Sequence, residues 1–314
     1  MEYCEIEKNR SPKTLVAYAH YLKRFCLFAS GSGVNVPEKI NLELVRQFRL
    51  HLNRLQDDHG TRLKLVSQTY HVIALRAFLK YLAKRDFVTL PAEKIELAKT
   101  PAREVTALEE SELACIIQAV DQTEDETVRL RDRAILLTLF SSGVRVSELV
   151  SLTKKVVNLE RKEFTVRGKG DKLRLVFLSD EAAVAIKDYL KKRHDNHPAL
   201  FISHAKIRNA VEKAISAQSE SGQKSNVKSQ MSSGLTARTV QRIIHQYAML
   251  AGIPKKVTPH TLRHSFATDL LRNGADIRSV QTMLGHASIT TTQIYTHVTN
   301  ESLRETHTKF HGKH

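Results

Sequence analysis

The sequence predicts a mainly helical protein of two units, the second mixed α/β: mostly helical with a small antiparallel sheet. Three observations carry this reading. Apolar residues recur at helical spacing through most of the chain. Two β-rich runs flank a single turn near residue 170. A stretch around Pro101 interrupts the pattern and separates two parts. At 314 residues the chain is long enough to bury two cores.

The elements follow in order. Ser11 and Pro12 are a cap and a first-turn proline for a helix over 11–30, with Leu15, Tyr18, Leu22 and Phe25 along one face. Residues 41–56 repeat the pattern with Leu44, Phe48, Leu52 and Leu55. Residues 66–85 do so with Tyr70, Ile73, Leu79 and Leu82. These stripes read as core packing and carry no chemistry. AKTPAREVTAL, residues 98–108, reads as the linker, so the first unit covers 1–100 and the second 106–314. In the second unit LTLFSSGVRVSELVSL, residues 137–152, reads as an apolar helix ended at Gly143. Arg145 then opens a short helix, with Glu148 three residues on. EFTVRGKGDKLRLVFL, residues 163–178, reads as a β-hairpin with Lys169 at its turn, within a sheet spanning roughly 155–178. Residues 216–235 are rich in Ser, Gln and Gly and read as a solvated loop excursion. Thr236 caps a helix running to Gly252, from which Arg238 and Arg242 can reach phosphates or bases.

The densest information lies in residues 258–297, TPHTLRHSFATDLLRNGADIRSVQTMLGHASITTTQIYTH. Thr258 is a helix N-cap and Pro259 suits the first helical position. His260 and Arg263 fall three apart, on one face of the first turn, where free N–H groups favour an anion. Gly274 ends this helix and Asp276 caps the next. That second helix stops near Gly285 and leaves His286 in the turn. Ser288 caps a third helix carrying Tyr295. Taken singly, each feature has an ordinary reading. A His-x-x-Arg pair is usually a solvated helix face, and Tyr295 alone is a half-buried aromatic. Arg145 after a glycine and Lys169 in a turn are surface residues by default. His260 and His264 have zinc-ligand spacing, but the glutamate of the HExxH pattern is missing. The joint pattern carries the functional reading.

Composition points to a nucleic-acid partner independently. The formal net charge is +16 and the pI is near 9.8. Residues 1–104 carry 18 basic and 11 acidic side chains, net +7, and the remainder is net +9. Positive charge on both parts fits a clamp on duplex DNA better than a basic tail. The competing reading is a basic protein with no nucleic-acid role. Cys4, Cys26 and Cys115 show neither CxxC spacing nor a disulfide framework and read as reduced, partly buried thiols. The amino terminus is polar and acidic, without an apolar leader, and no run is long enough to span a membrane, so a cytoplasmic protein is expected. There is no GxxxxGK[ST] loop and no acidic cluster with metal-ligand spacing, so neither a cofactor nor a metal is implied.

Arg145, Lys169, His260, Arg263, His286 and Tyr295, in that order, match the six-residue signature of the tyrosine recombinase (phage-integrase-like) family. The strings SSGVRVSEL, GKGDKLR, HTLRHSFAT and LGHASITTTQIYTH most resemble the Xer branch. The resemblance covers nearly the whole chain and is strongest over 137–178 and 256–311. It implies a helical core-binding unit, a catalytic unit, and a site-specific DNA recombinase working as a homotetramer or heterotetramer on double-stranded DNA with an inverted-repeat site. It implies a 3′-phosphotyrosine intermediate, a Holliday junction, no cofactor, and resolution of chromosome dimers at a dif-like site during chromosome partition and cell division. A septal DNA translocase is a further partner it suggests. The tail, residues 297–314, is expected to connect subunits. The first expected helix begins close to Met1, leaving no room for the arm-binding domain of many phage integrases.

The chemistry accounts for the residue types. Attack on a phosphodiester concentrates charge on the non-bridging oxygens, which two guanidiniums grip with paired N–H bonds. Arg145 and Arg263 take that role in the family pattern, with His286 as a third donor. Tyr295, whose phenol ordinarily titrates near pH 10, is the nucleophile, and His260 the base or proton relay. Lys169 is the expected proton donor to the departing 5′ oxygen, and Glu148 is placed either to orient Arg145 or as an ordinary glutamate of a helix N-terminus. The alternatives are a mobile-element integrase or resolvase of the same chemistry, a non-cleaving basic DNA-binding protein, and a type IB topoisomerase.

Overall fold

The computed structural model describes residues 1–56, 60–98, 107–168, 173–204, 234–286 and 288–292. The chain divides into two compact units, Met1–Arg103 and Glu104–His314.

The first unit is built on α1 (Pro12–Gly31), α2 (Leu42–Arg54) and α3 (Leu65–Ala83). The Ser11 hydroxyl accepts from the Thr14 N–H, and Asn41 Oδ1 accepts from the Leu44 N–H at 2.9 Å. Both caps satisfy donors that the first helical turn leaves orphaned. The helices close over Phe25, Phe48, Leu52, Leu75 and Leu79, all buried. The expected stripe on α3 holds at Leu79 and Leu82, which are buried, and fails at Tyr70. Tyr70 is 51% exposed, and the buried face is His71, Val72, Ala74, Leu75, Leu79 and Leu82. This helix is apolar around most of its circumference, so periodicity alone does not choose its inner face. His71 Nδ1 lies 2.8 Å from the Ser67 carbonyl, and Arg24 Nη1 lies 3.1 Å from its Nε2.

The second unit contains α4 (Glu110–Asp121), α5 (Glu126–Ser142), α6 (Val146–Ser151), β1 (Val157–Asn158), β2 (Glu163–Arg167), β3 (Leu173–Phe177), α7 (Asp180–Lys192), α8 (Ala237–Leu250), α9 (Pro259–Arg272) and α10 (Ile277–Leu284). Helix α5 is its axis: α4, α7, α8 and α9 all pack against it. Its residues Ala134, Ile135, Leu136, Leu137 and Leu139 are buried in succession, as a helix surrounded by neighbours requires. The sheet is antiparallel in the order β1-β2-β3, with Phe164 opposite Val176 and Arg167 opposite Leu173. The fold is therefore mainly helical with a small antiparallel sheet.

Strand β3 inverts the usual alternation. Leu173, Leu175 and Phe177 are exposed, while Val176 is buried and the Arg174 side chain keeps only 10% of its surface. Beyond α7 the buried Arg193 holds the chain by donating to Asp195 and to the carbonyls of His197, Ala199 and Leu200.

Gly143 and Gly285 end α5 and α10 with φ of +58° and +64°, left-handed values that favour glycine. Thr258, Asp276 and Thr236 cap their helices as expected. Two of the thiols are more open than expected: Cys26 and Cys115 are exposed, and Cys4 is half-buried. No described helix is long and apolar enough to cross a membrane. The expected excursion at 216–235, Lys169, Tyr295 and the tail at 297–314 lie outside the described residues.

Candidate active site

The site assembles on the carboxy-terminal end of α10. The last carbonyls of any helix lack intrahelical donors, and the macrodipole makes that end attractive to cations. Three guanidiniums occupy it in sequence. Arg174 Nε donates to the Met283 carbonyl at 3.0 Å, Arg263 Nη2 to that of Leu284 at 2.5 Å, and Arg145 Nη2 to that of Gly285 at 3.3 Å. Arg263 Nη1 also donates to the Gly143 carbonyl at 2.5 Å. One guanidinium thus joins the ends of α5 and α10. Arg263 is 4% exposed, whereas the Arg145 side chain keeps 30% of its surface open.

Glu148, buried in the third turn position of α6, is the anionic hub. Its Oε1 accepts from Arg145 Nη1 and Arg174 Nη1, both at 2.9 Å. Its Oε2 accepts from the Arg145 backbone N–H and from Arg174 Nη2, both at 2.8 Å. The four bonds saturate the carboxylate. Burial alone would raise its pKa, but the Arg174 bonds, with those of Arg145 behind them, hold it down to about 2. The expected orienting role of Glu148 toward Arg145 has this geometry behind it. Arg174 was not foreseen as a site residue.

His286 follows Gly285 in the turn, as the glycine stop requires. Its Nδ1 lies 3.0 Å from Thr292 Oγ1, and Thr292 is fully buried. Burial, and then the charges of Arg263 and Arg145, lower its pKa to about 4. The ring is therefore neutral near pH 7 and offers one N–H.

The structure brings Arg145, Arg263 and His286 together with Glu148 and Arg174. His260 sits at the second position of α9 and is exposed, while Arg263, one turn on, is buried. The two do not share one solvated face, because the side of α9 that carries Arg263 is covered by the ends of α5 and α10. Arg238 and Arg242 are exposed on α8. Three guanidiniums and one carboxylate leave a cationic surplus in a partly desolvated setting, where an anion is held more strongly than in water. Among the described residues no group of His, Cys, Asp or Glu is arranged to hold a metal ion.

Comparison with known proteins identifies this architecture. Residues 106–302 match the phage integrase family, and residues 1–86 match the phage integrase N-terminal SAM-like domain. The chain belongs to the phage integrase family, the tyrosine recombinases. It is 35% identical to the tyrosine recombinase XerC of Pelobacter propionicus, over 99% of this chain and 93% of that protein. It is 33% identical to the tyrosine recombinase XerD of Staphylococcus epidermidis, over 100% of this chain and 97% of that one. Its place is in the Xer branch. Among solved structures, the XerA recombinase is 30% identical at a TM-score of 0.51, covering 100% of this chain and 96% of that one. XerH bound to a palindromic difH substrate, a post-cleavage complex, superposes at a TM-score of 0.72 with 24% identity, covering 97% and 82%, and shares the fold.

Proposed function

We propose that this protein is a site-specific recombinase that cuts and rejoins double-stranded DNA through a 3′-phosphotyrosine, and that it resolves chromosome dimers at a dif-like site. The observation that carries the reading is the placement of Arg145, Arg263 and His286 around one helix end, with Arg145 still open to solvent. The names of the XerC and XerD relatives and the difH complex of XerH support the chromosomal role.

In this reading the tyrosine hydroxyl of Tyr295 attacks the scissile phosphorus. Its proton passes to His260, the phosphorus–5′ oxygen bond breaks, and Lys169 gives the departing oxygen a proton. Arg145, Arg263 and the His286 N–H hold the charge that builds on the non-bridging oxygens. The bond energy stays in the phosphotyrosine ester, so a 5′ hydroxyl from the partner duplex reverses the step without a nucleotide. Four protomers act on two duplexes in the cytoplasm. Residues 297–314 link each to its neighbour head to tail, an arrangement that closes into a ring. A septal DNA translocase is a further partner in this reading.

The test uses an inverted-repeat duplex selected on this protein from a randomised pool and then nicked in its central segment. Wild type should form a denaturant-resistant protein–DNA adduct. Tyr295→Phe should bind the duplex as well and form none. An adduct of normal yield from the phenylalanine variant would overturn the assignment.

A further inference from the structure

Arg174 belongs to no part of the mechanism above, yet it is among the most constrained side chains of the second unit. It is 10% exposed, and all three of its nitrogens donate: Nη1 and Nη2 to the two oxygens of Glu148, and Nε to the Met283 carbonyl. It stands one residue into β3, just after the connection that contains Lys169. A side chain added at Gly285 would meet its Cδ at 3.0 Å, so the turn before His286 is shaped around it.

Its neighbours define a competition. Glu148 has two cationic partners, Arg145 and Arg174. Arg174 takes the carboxylate as a two-pronged pair. Arg145 reaches it with one guanidinium nitrogen, 2.9 Å away, and with its backbone N–H. The other terminal nitrogen of Arg145 is spread to Gly285 at 3.3 Å. A carboxylate deprived of Arg174 would turn to the remaining guanidinium. The planar fork of Arg145 accommodates a two-pronged pair readily. It would then spend both prongs on a buried carboxylate, and its charge would be cancelled.

We infer that Arg174 is a positioning residue that keeps Glu148 neutralised and so leaves the Arg145 guanidinium free for the scissile phosphate. The inference rests on Arg145 acting at that phosphate. Arg174 touches no reacting atom. It acts by holding Glu148, and through the Met283 carbonyl it fixes the helix end from which Arg145 and Arg263 are also held.

The experiment is single-turnover adduct formation on the nicked, selected duplex at saturating protein, with site affinity measured separately and folding followed by thermal melting. Wild-type adduct formation tests the recombinase reading by itself. The positioning role is tested by ratios among variants. Arg174→Met should slow cleavage by about 10–100-fold, the range for outer partners of a charged site, with much smaller loss of affinity. The deciding variant is the double substitution Glu148→Gln with Arg174→Met. Removing the carboxylate's charge frees Arg145 again, so the double variant should cleave faster than Arg174→Met alone, although Glu148→Gln by itself slows wild type. A purely architectural Arg174 gives the opposite order, with the double variant no faster than the single one. That order, or wild-type cleavage by Arg174→Met, overturns the inference. If Arg174→Met fails to fold, Arg174→Lys takes its place. It keeps the charge that offsets Glu148, so its cleavage should be slowed less than that of a neutral substitution. Arg174→Gln, which loses the charge, must be slower and must be relieved by Glu148→Gln. Failure of that relief overturns the inference equally.

Discussion

The Thr292 hydroxyl lies 3.0 Å from Nδ1 of His286, with Thr292 fully buried and the imidazole half-buried. A neutral imidazole carries one proton, and the partner of one nitrogen decides which nitrogen bears it. A hydroxyl donating to Nδ1 leaves the N–H on Nε2, the donor proposed for the phosphate. Thr292→Val keeps the volume and removes that choice. Cleavage should fall about tenfold while melting temperature and site affinity change little, and Thr292→Ser should retain most of the rate. Wild-type adduct rates from the valine variant would remove Thr292 from the site.

The lowered pKa of His286 makes a pH prediction. Its folded value, about 4, lies below the ordinary 6.5. Between those values the unfolded chain binds a proton that the folded chain refuses. The stabilising contribution is therefore complete above about pH 6.5 and is lost as pH falls toward 4. His204, held near 4 mainly by burial, works in the same direction. Melting temperature should drop across this window in wild type and drop less in His286→Gln. Parallel curves for the two proteins would show that His286 is not the titrating group.

Arg263→Lys keeps the charge and loses the fork. An ammonium cannot span the Gly143 and Leu284 carbonyls, which Arg263 now joins at 2.5 Å each. Cleavage should fall at least about a hundredfold, the scale of losing one transition-state donor. DNA affinity should fall far less, because many other phosphate contacts carry it. Near-normal recombination by this variant would refute the paired-donor argument.

Gly143→Ala should unfold the second unit at lower temperature. The backbone at φ +58° disfavours any side chain, and the new methyl would meet Phe266 Cδ1 at 2.3 Å and Leu284 Cδ2 at 3.2 Å. Left-handed strain and overpacking together cost about 2–5 kcal/mol. A circular-dichroism melt reads this directly, and an unchanged transition would contradict the geometry.

Much of the fold was legible because its signals are local. Ser11, Thr236, Thr258 and Asp276 cap helices through bonds two or three residues away, and Gly143 and Gly285 end them by their own φ. Arg145, Arg263 and His286 sit at such ends, so their neighbourhood was legible too. Arg174 was not, because its partners lie 26 residues earlier and 109 later in the chain. A signal was nonetheless present: in LRLVF strict alternation must place either the arginine or three large apolar residues toward the interior. The choice fell to the arginine because a buried carboxylate and a helix end were waiting for it. The inner face of α3 was read only at Leu79 and Leu82, since an apolar helix offers too many faces to choose from.

The bridge that Arg263 makes between Gly143 and Leu284 bears on how the protein is born. A ribosome delivers the end of α5 long before it delivers α9 or the end of α10. Until all three have left the tunnel and docked, the two carbonyls stand apart and the guanidinium has no fixed direction. A nascent or truncated chain that lacks α9 or the end of α10 can therefore carry much of its positive charge without these two helix ends being joined. The joining of the two helix ends is thus a late event, set by the order of synthesis.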